Sequence, residues 1–93
     1  MKLELVAGDE VTDLKPGQGY LFNLIDFDKT KRRCLWIACY LCGAISMTSL
    51  HTIVENPDGT ITVNGYKGSR SLKCSNEKCP AHYFIDNSEI VTT

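Results

Sequence analysis

The sequence predicts an all-β fold, a single small antiparallel domain organised around two cysteine knuckles. Three observations carry this expectation. No stretch of a dozen residues has helical period. Short alternating apolar runs are separated by strong turn signals, which reads as about six to eight strands. Finally, Cys39-x-x-Cys42 and Cys74-x4-Cys79 form two close cysteine pairs.

Taken in order, Lys2–Val6 alternates as a short edge strand, and 7–13 is a solvated acidic connection. Lys15-Pro16-Gly17-Gln18 is a type II turn, in which proline presets φ and glycine takes the positive φ. Tyr20–Phe27 has the aromatic and branched composition of a strand. Asp28–Arg33 reads as a polar hairpin loop, and Cys34–Ala38 as the strand entering the first knuckle. Ala44–Val54 reads as one long strand with a bulge or bend near Leu50 and His51. Asn56-Pro57-Asp58-Gly59 fits a type I turn with a glycine bulge, so Ile53–Val63 is a hairpin. Residues 64–68 are a further turn. Ser69–Lys73 leads into the second knuckle, His82–Ile85 leaves it, and Glu89–Val91 pairs back across Asp86-Asn87-Ser88. All 93 residues make one domain, with 1–33 as an N-terminal β extension and 34–93 as the metal-binding part.

The chemistry lies in the knuckles. No apolar run approaches the roughly 20 residues of a membrane span, and Met1–Leu5 lacks the apolar region of a signal peptide. The expected compartment is therefore a reducing cytoplasm, where paired cysteines serve as metal ligands rather than disulfides. The count of five cysteines would also leave one thiol over in a disulfide framework. Zinc takes four such ligands in a tetrahedron, and strands running in and out of two knuckles make a zinc ribbon. Cys39, Cys42, Cys74 and Cys79 supply one complete set. Cys79-Pro80-Ala81-His82 is itself a Cys-x-x-His knuckle, so His82 is the alternative fourth ligand. Four thiolates also hold iron, which keeps a rubredoxin-like redox site as a minor alternative. His51 reads as an ordinary strand residue and Cys34 as a small buried hydrophobe. A catalytic zinc site keeps an open position, and a deaminase needs His-x-Glu with Pro-Cys-x-x-Cys; neither pattern is present, and no enzymatic activity is expected.

The net charge is −1, but it is segregated. Residues 1–28 hold two basic and six acidic side chains, residues 29–33 four basic and no acidic ones, and residues 67–78 four basic and one acidic. Lys29, Lys31, Arg32, Arg33, Lys67 and Arg70 could form a nucleic-acid surface, with Tyr40, Tyr66 or Tyr83 stacking on bases. The plainer reading makes 29–33 a solvated hairpin tip, with Lys73 and Lys78 offsetting the net −2 of a zinc tetrathiolate. The expected function is a non-catalytic interaction module with a protein partner, with a nucleic-acid-binding zinc ribbon as the alternative that the charge segregation suggests. It leaves the oligomeric state open.

Two resemblances bear on this. Gly68-Ser-Arg-Ser-Leu-Lys-Cys-Ser-Asn-Glu-Lys-Cys79 resembles the second half of the zinc ribbons at the C-terminus of type IA topoisomerases, with a spacing one residue shorter. From Trp36 to Val91 the order Trp-x-x-Cys-x-x-Cys-Gly, Asp-Gly hairpin, second cysteine pair and Cys-x-x-His-x-Phe-Ile-x-Asn is similar to small zinc-ribbon proteins of bacteriophages and prophage-like islands. That resemblance implies a metal-binding β fold in a host cytoplasm and no assigned activity. In this chain Ser88 stands where that family's last turn has glycine.

Overall fold

A computed structural model describes residues 1–6, 13–25, 31–48, 51–65 and 71–92. Nine strands are seen among the described residues: β1 (Glu4–Leu5), β2 (Gln18–Ile25), β3 (Lys31–Ala38), β4 (Ile45–Met47), β5 (Thr52–Glu55), β6 (Ile61–Asn64), β7 (Leu72–Lys73), β8 (His82–Asp86) and β9 (Glu89–Thr92). They form three sheets, ordered β1-β2-β3-β4, β5-β6 and β7-β8-β9. No described helix is long and apolar enough to cross a membrane.

The all-β expectation holds, with three corrections. The sheets are not purely antiparallel, because β1 runs parallel to β2 with Glu4 opposite Gln18. The chain reaches this pairing from the far side: Leu3 N–H donates to Ser88 O at 2.7 Å and Ile90 N–H to Met1 O at 2.7 Å. Residues 1–3 thus join the β9 side, and residues 4–5 join β2. Second, Ala44–Val54 is not one strand. Thr48 continues the pairing with β3, donating both its amide (2.9 Å) and its hydroxyl (3.1 Å) to Leu35 O, so β4 stays on β3, whereas β5 belongs to the separate β5-β6 sheet. Third, Lys31, Arg32 and Arg33 belong to β3 and not to a loop, with Arg33 opposite Asn23 and Lys31 opposite Ile25. The cross-strand run from Gly19–Ile37 to Ile25–Lys31 extends this hairpin past the apolar segment.

The turns follow their chemistry. Gln18 N–H donates to Lys15 O at 2.9 Å, with Gly17 at φ +84°. Gly59 N–H donates to Asn56 O at 3.0 Å and Asn56 N–H to Thr60 O at 2.8 Å, with Gly59 at φ +87°. That is the type I turn and bulge expected from Asn-Pro-Asp-Gly. Asn87 and Ser88 both have positive φ, 48° and 58°, the two-residue turn whose twist matches an antiparallel pair.

One core joins the sheets. Leu35, Ile61, Val63 and Ile85 are fully enclosed, and Leu3, Ile37, Leu72 and Ile90 pack with them. Burying each large aliphatic side chain is worth about 1.5–3 kcal/mol. Cys39, Cys74 and Cys79 belong to this same cluster. The cysteine site therefore lies on one edge of the core, at the ends of β3 and β7.

Candidate metal centre

The Sγ atoms of Cys39, Cys42, Cys74 and Cys79 all lie within 4.8 Å of one another. Cys39 Sγ is 3.9 Å from Cys79 Sγ, and Cys42 Sγ is 3.5 Å from Cys74 Sγ. Each close contact therefore joins one knuckle to the other. A tetrahedron with metal–sulfur bonds of about 2.3 Å has sulfur–sulfur edges of about 3.8 Å. The spacing suits four thiolates on one ion and is far too long for disulfide bonds, which need about 2.05 Å. All five cysteines are free thiols.

The two knuckles are built alike despite their different lengths. In each, the residue two beyond a cysteine turns its amide back onto that sulfur. Leu41 N–H donates to Cys39 Sγ and Asn76 N–H to Cys74 Sγ, both at 3.4 Å. Ala44 and Ala81 do the same for Cys42 and Cys79. Amide donors aimed at sulfur favour the thiolate, the form that binds metal. In the first knuckle Gly43 closes the loop, donating to Cys39 O at 2.9 Å with φ +79°. This left-handed backbone is what requires a glycine there. In the second knuckle Asn76 does the folding. Its carbonyl accepts the Cys79 amide at 2.9 Å and its side-chain oxygen accepts the Lys78 amide at 3.1 Å. Its Nδ2 lies 4.0 Å from Cys42 Sγ, reaching the opposite knuckle. Asn76 was missed as a site residue, although the Cys-Ser-Asn run and the turn habit of asparagine were legible signals.

The sulfurs are not equivalent. Cys39, Cys74 and Cys79 are buried, whereas Cys42 is exposed. The Ala44 amide and then the Cys74 side chain bring the Cys42 thiol down to about 7. Burial pushes the Cys74 thiol up to about 12. At Cys79 the Ala81 amide pulls downward, but burial and Cys42 together outweigh it and the net shift is upward. Tyr83, beneath the site, is raised by burial and stacks edge-on against Tyr40 with ring centroids 5.4 Å apart.

The other candidates fall elsewhere. His82 is exposed on β8 and outside the four-sulfur group. Its backbone pairs with Lys73, which sends the chain into the knuckle while the imidazole faces outward. Cys34 is buried in β3, also outside the group. His51 precedes β5 and donates from Nε2 to Ser71 O at 3.1 Å. Arg33 is engaged by Glu55 at 2.9 Å and by Asn23 at 3.4 Å. Tyr83 is only 3% exposed, so it cannot stack on a base. Lys29, Tyr66, Lys67 and Arg70 lie outside the described residues. Lys73 and Lys78 are exposed beside the knuckle, placed to offset a negative tetrathiolate.

No family model, curated protein or solved structure matches the chain.

Proposed function

We propose that the chain is a small structural-zinc protein, a zinc ribbon in its local construction, acting as a non-catalytic module that binds a protein partner. The supporting observation is the four-sulfur cluster, whose spacing fits a tetrahedral ion and whose ligands come from the ends of two different sheets. Four thiolates close the coordination sphere, whereas catalytic zinc keeps a position open. Zinc binding is worth about 10–16 kcal/mol in small peptides and appears as folding free energy. A domain this small has a total stability of about 5–15 kcal/mol, so the ion is assigned to holding the fold. The work is left to the surface. We place the protein in the small phage-type zinc-ribbon group on the residues quoted above, working where thiols stay reduced.

The test is metal analysis followed by partner capture. About one equivalent of zinc per chain is expected; a red protein with stoichiometric iron would replace the structural reading by a redox one. Single- and double-stranded DNA should fail to bind at about 50 mM salt, where phosphate contacts are strong. The engagement of Arg33 and the burial of Tyr83 speak against that surface. Metal-loaded protein, but not chelated protein, should retain a partner from a host extract.

A further inference from the structure

The four sulfurs of the cluster differ in what can reach them. Cys42 is exposed, whereas Cys39, Cys74 and Cys79 are only 2%, 7% and 6% exposed. A small reagent arriving from solvent therefore meets Cys42 first. Directly behind Cys42 Sγ, at 3.5 Å, stands the buried Sγ of Cys74. The other two sulfurs, Cys39 and Cys79, form their own contact at 3.9 Å. Both close contacts run from one knuckle to the other.

That arrangement has the parts of a redox device. Oxidation of cysteine follows thiolate character and exposure, and it stays reversible when a second thiol stands ready to close a disulfide. A metal ligand is a thiolate, so Cys42 combines both properties. Cys74 is the second thiol, and its sulfur needs to approach by only about 1.5 Å to reach bonding distance. The product matters for the fold. A bond from Cys42 to Cys74 fastens the knuckle after β3 to the end of β7, the same link that the ion makes. It also closes a long stretch of chain, the kind of loop whose closure most restricts the unfolded state. A bond from Cys39 to Cys42, or from Cys74 to Cys79, would stay inside one knuckle and join no two sheets.

We infer that the cysteine centre is also a redox switch, in which a hydroperoxide oxidises Cys42 and Cys74 resolves it, so that a cross-knuckle disulfide replaces the ion as the link between β3 and β7. The inference rests on the metal-centre reading and adds a regulated state to that site. In the first step Cys42 Sγ attacks the terminal oxygen of the hydroperoxide. A sulfur–oxygen bond forms, the oxygen–oxygen bond breaks, and an alkoxide leaves (hydroxide, for hydrogen peroxide). Cys74 Sγ then attacks Cys42 Sγ. The disulfide forms, the sulfur–oxygen bond breaks, and hydroxide leaves. Two electrons have passed from the two sulfurs to the two peroxide oxygens. Only Cys39 and Cys79 then remain as thiols, too few for the tetrahedron that zinc requires, and the ion is released. A dithiol reductant reverses the change by thiol–disulfide exchange.

The test treats metal-loaded full-length protein with excess hydrogen peroxide. Freed zinc is followed with a chromophoric indicator, remaining thiols are alkylated, and disulfides are mapped by mass spectrometry. The first disulfide should join Cys42 to Cys74 and form in step with the loss of about one equivalent of zinc. Dithiol reductant with added zinc should restore the starting protein. The oxidised protein should have a higher urea midpoint than reduced protein stripped by a chelator, a comparison that needs no variant. A first bond within either knuckle, a bond between chains, or Cys42 driven to sulfinic acid beside a free Cys74 would each overturn the inference and leave the metal centre standing. So would zinc that survives the peroxide, or an oxidised protein no more resistant to urea than the stripped one. Starting protein that holds no metal would sink the metal-centre reading and the switch with it.

Discussion

Ser88 and Ile61 exchange two hydrogen bonds: the Ile61 amide donates to Ser88 Oγ at 2.9 Å, and the Ser88 amide donates to Ile61 O at 2.7 Å. This joins the β8-β9 turn to β6 in a separate sheet. It also explains a serine at φ 58° where glycine would be less strained. Ser88→Ala should cost about 1–3 kcal/mol, because the buried Ile61 amide loses its acceptor. Ser88→Gly should cost less, since it loses the same bond but relieves about 1–2 kcal/mol of left-handed strain. Urea midpoints of the metal-loaded proteins measure both. A glycine variant more stable than the parent would mean that the hydroxyl contributes little.

Removal of metal should uncouple β3 from β7. With a strong chelator, near-ultraviolet dichroism should collapse and return when zinc is restored. Cys39→Ser and Cys74→Ser should each abolish stoichiometric binding, whereas His82→Ala should keep the ion. Metal loss in His82→Ala together with retention in Cys74→Ser would exchange the two residues as ligands.

Metal loading should release protons. Each ligand must be a thiolate. Without the ion at pH 7, Cys74 and Cys79 are protonated in the unfolded chain, where thiols keep their ordinary value of about 8.5. They are also protonated wherever the knuckles still hold, where both are shifted upward and Cys42, near 7, is about half protonated. An upward shift means the proton competes with the metal to higher pH, so affinity should fall steadily as pH drops below neutrality. Calorimetry at pH 7 in buffers of differing ionisation heat should give at least about two protons released per ion. Release of less than one would contradict the burial assigned to Cys74 and Cys79.

Asn76 should matter to the metal more than to the fold. Asn76→Ala leaves the backbone bond to Cys74 Sγ but removes the Lys78 contact and the reach to Cys42. Loss of a residue that supports ligands typically weakens metal affinity about 10–100-fold. A chelator competition that finds parent and variant equal would remove Asn76 from the site.

Much of this was legible in the residues themselves. The Cys39 and Cys42 spacing, the Pro16-Gly17 and Pro57-Asp58-Gly59 turns and the alternation of Thr60–Val63 each encode local geometry, and local geometry is what sequence reports well. The errors lay where tertiary pairing decides. Lys31–Arg33 has loop composition but is held extended by β2 across from it. The division of Ala44–Val54 comes from long-range pairing: Thr48 stays bonded to Leu35, 13 residues away, while β5 pairs with β6. The parallel pairing of β1 depends on β9 holding residues 1–3, which no local pattern announces. At the site, the rival claims of Cys74 and His82 could not be separated by spacing, since both are compatible with a knuckle; the pairing of β8 with β7 directs the imidazole outward.

The bond from Leu3 N–H to Ser88 O spans almost the whole chain. Such a contact has a price in time, because loops this long must close before the pairing rewards them. On the ribosome, β1 cannot reach its final place until the β8-β9 hairpin has been made, and Leu3 waits without its neighbours. The second knuckle is likewise complete only after Cys79 emerges. Assembly is therefore a late event, in which ion capture and the joining of Leu3 to Ser88 both await synthesis of the second knuckle and the β8-β9 hairpin.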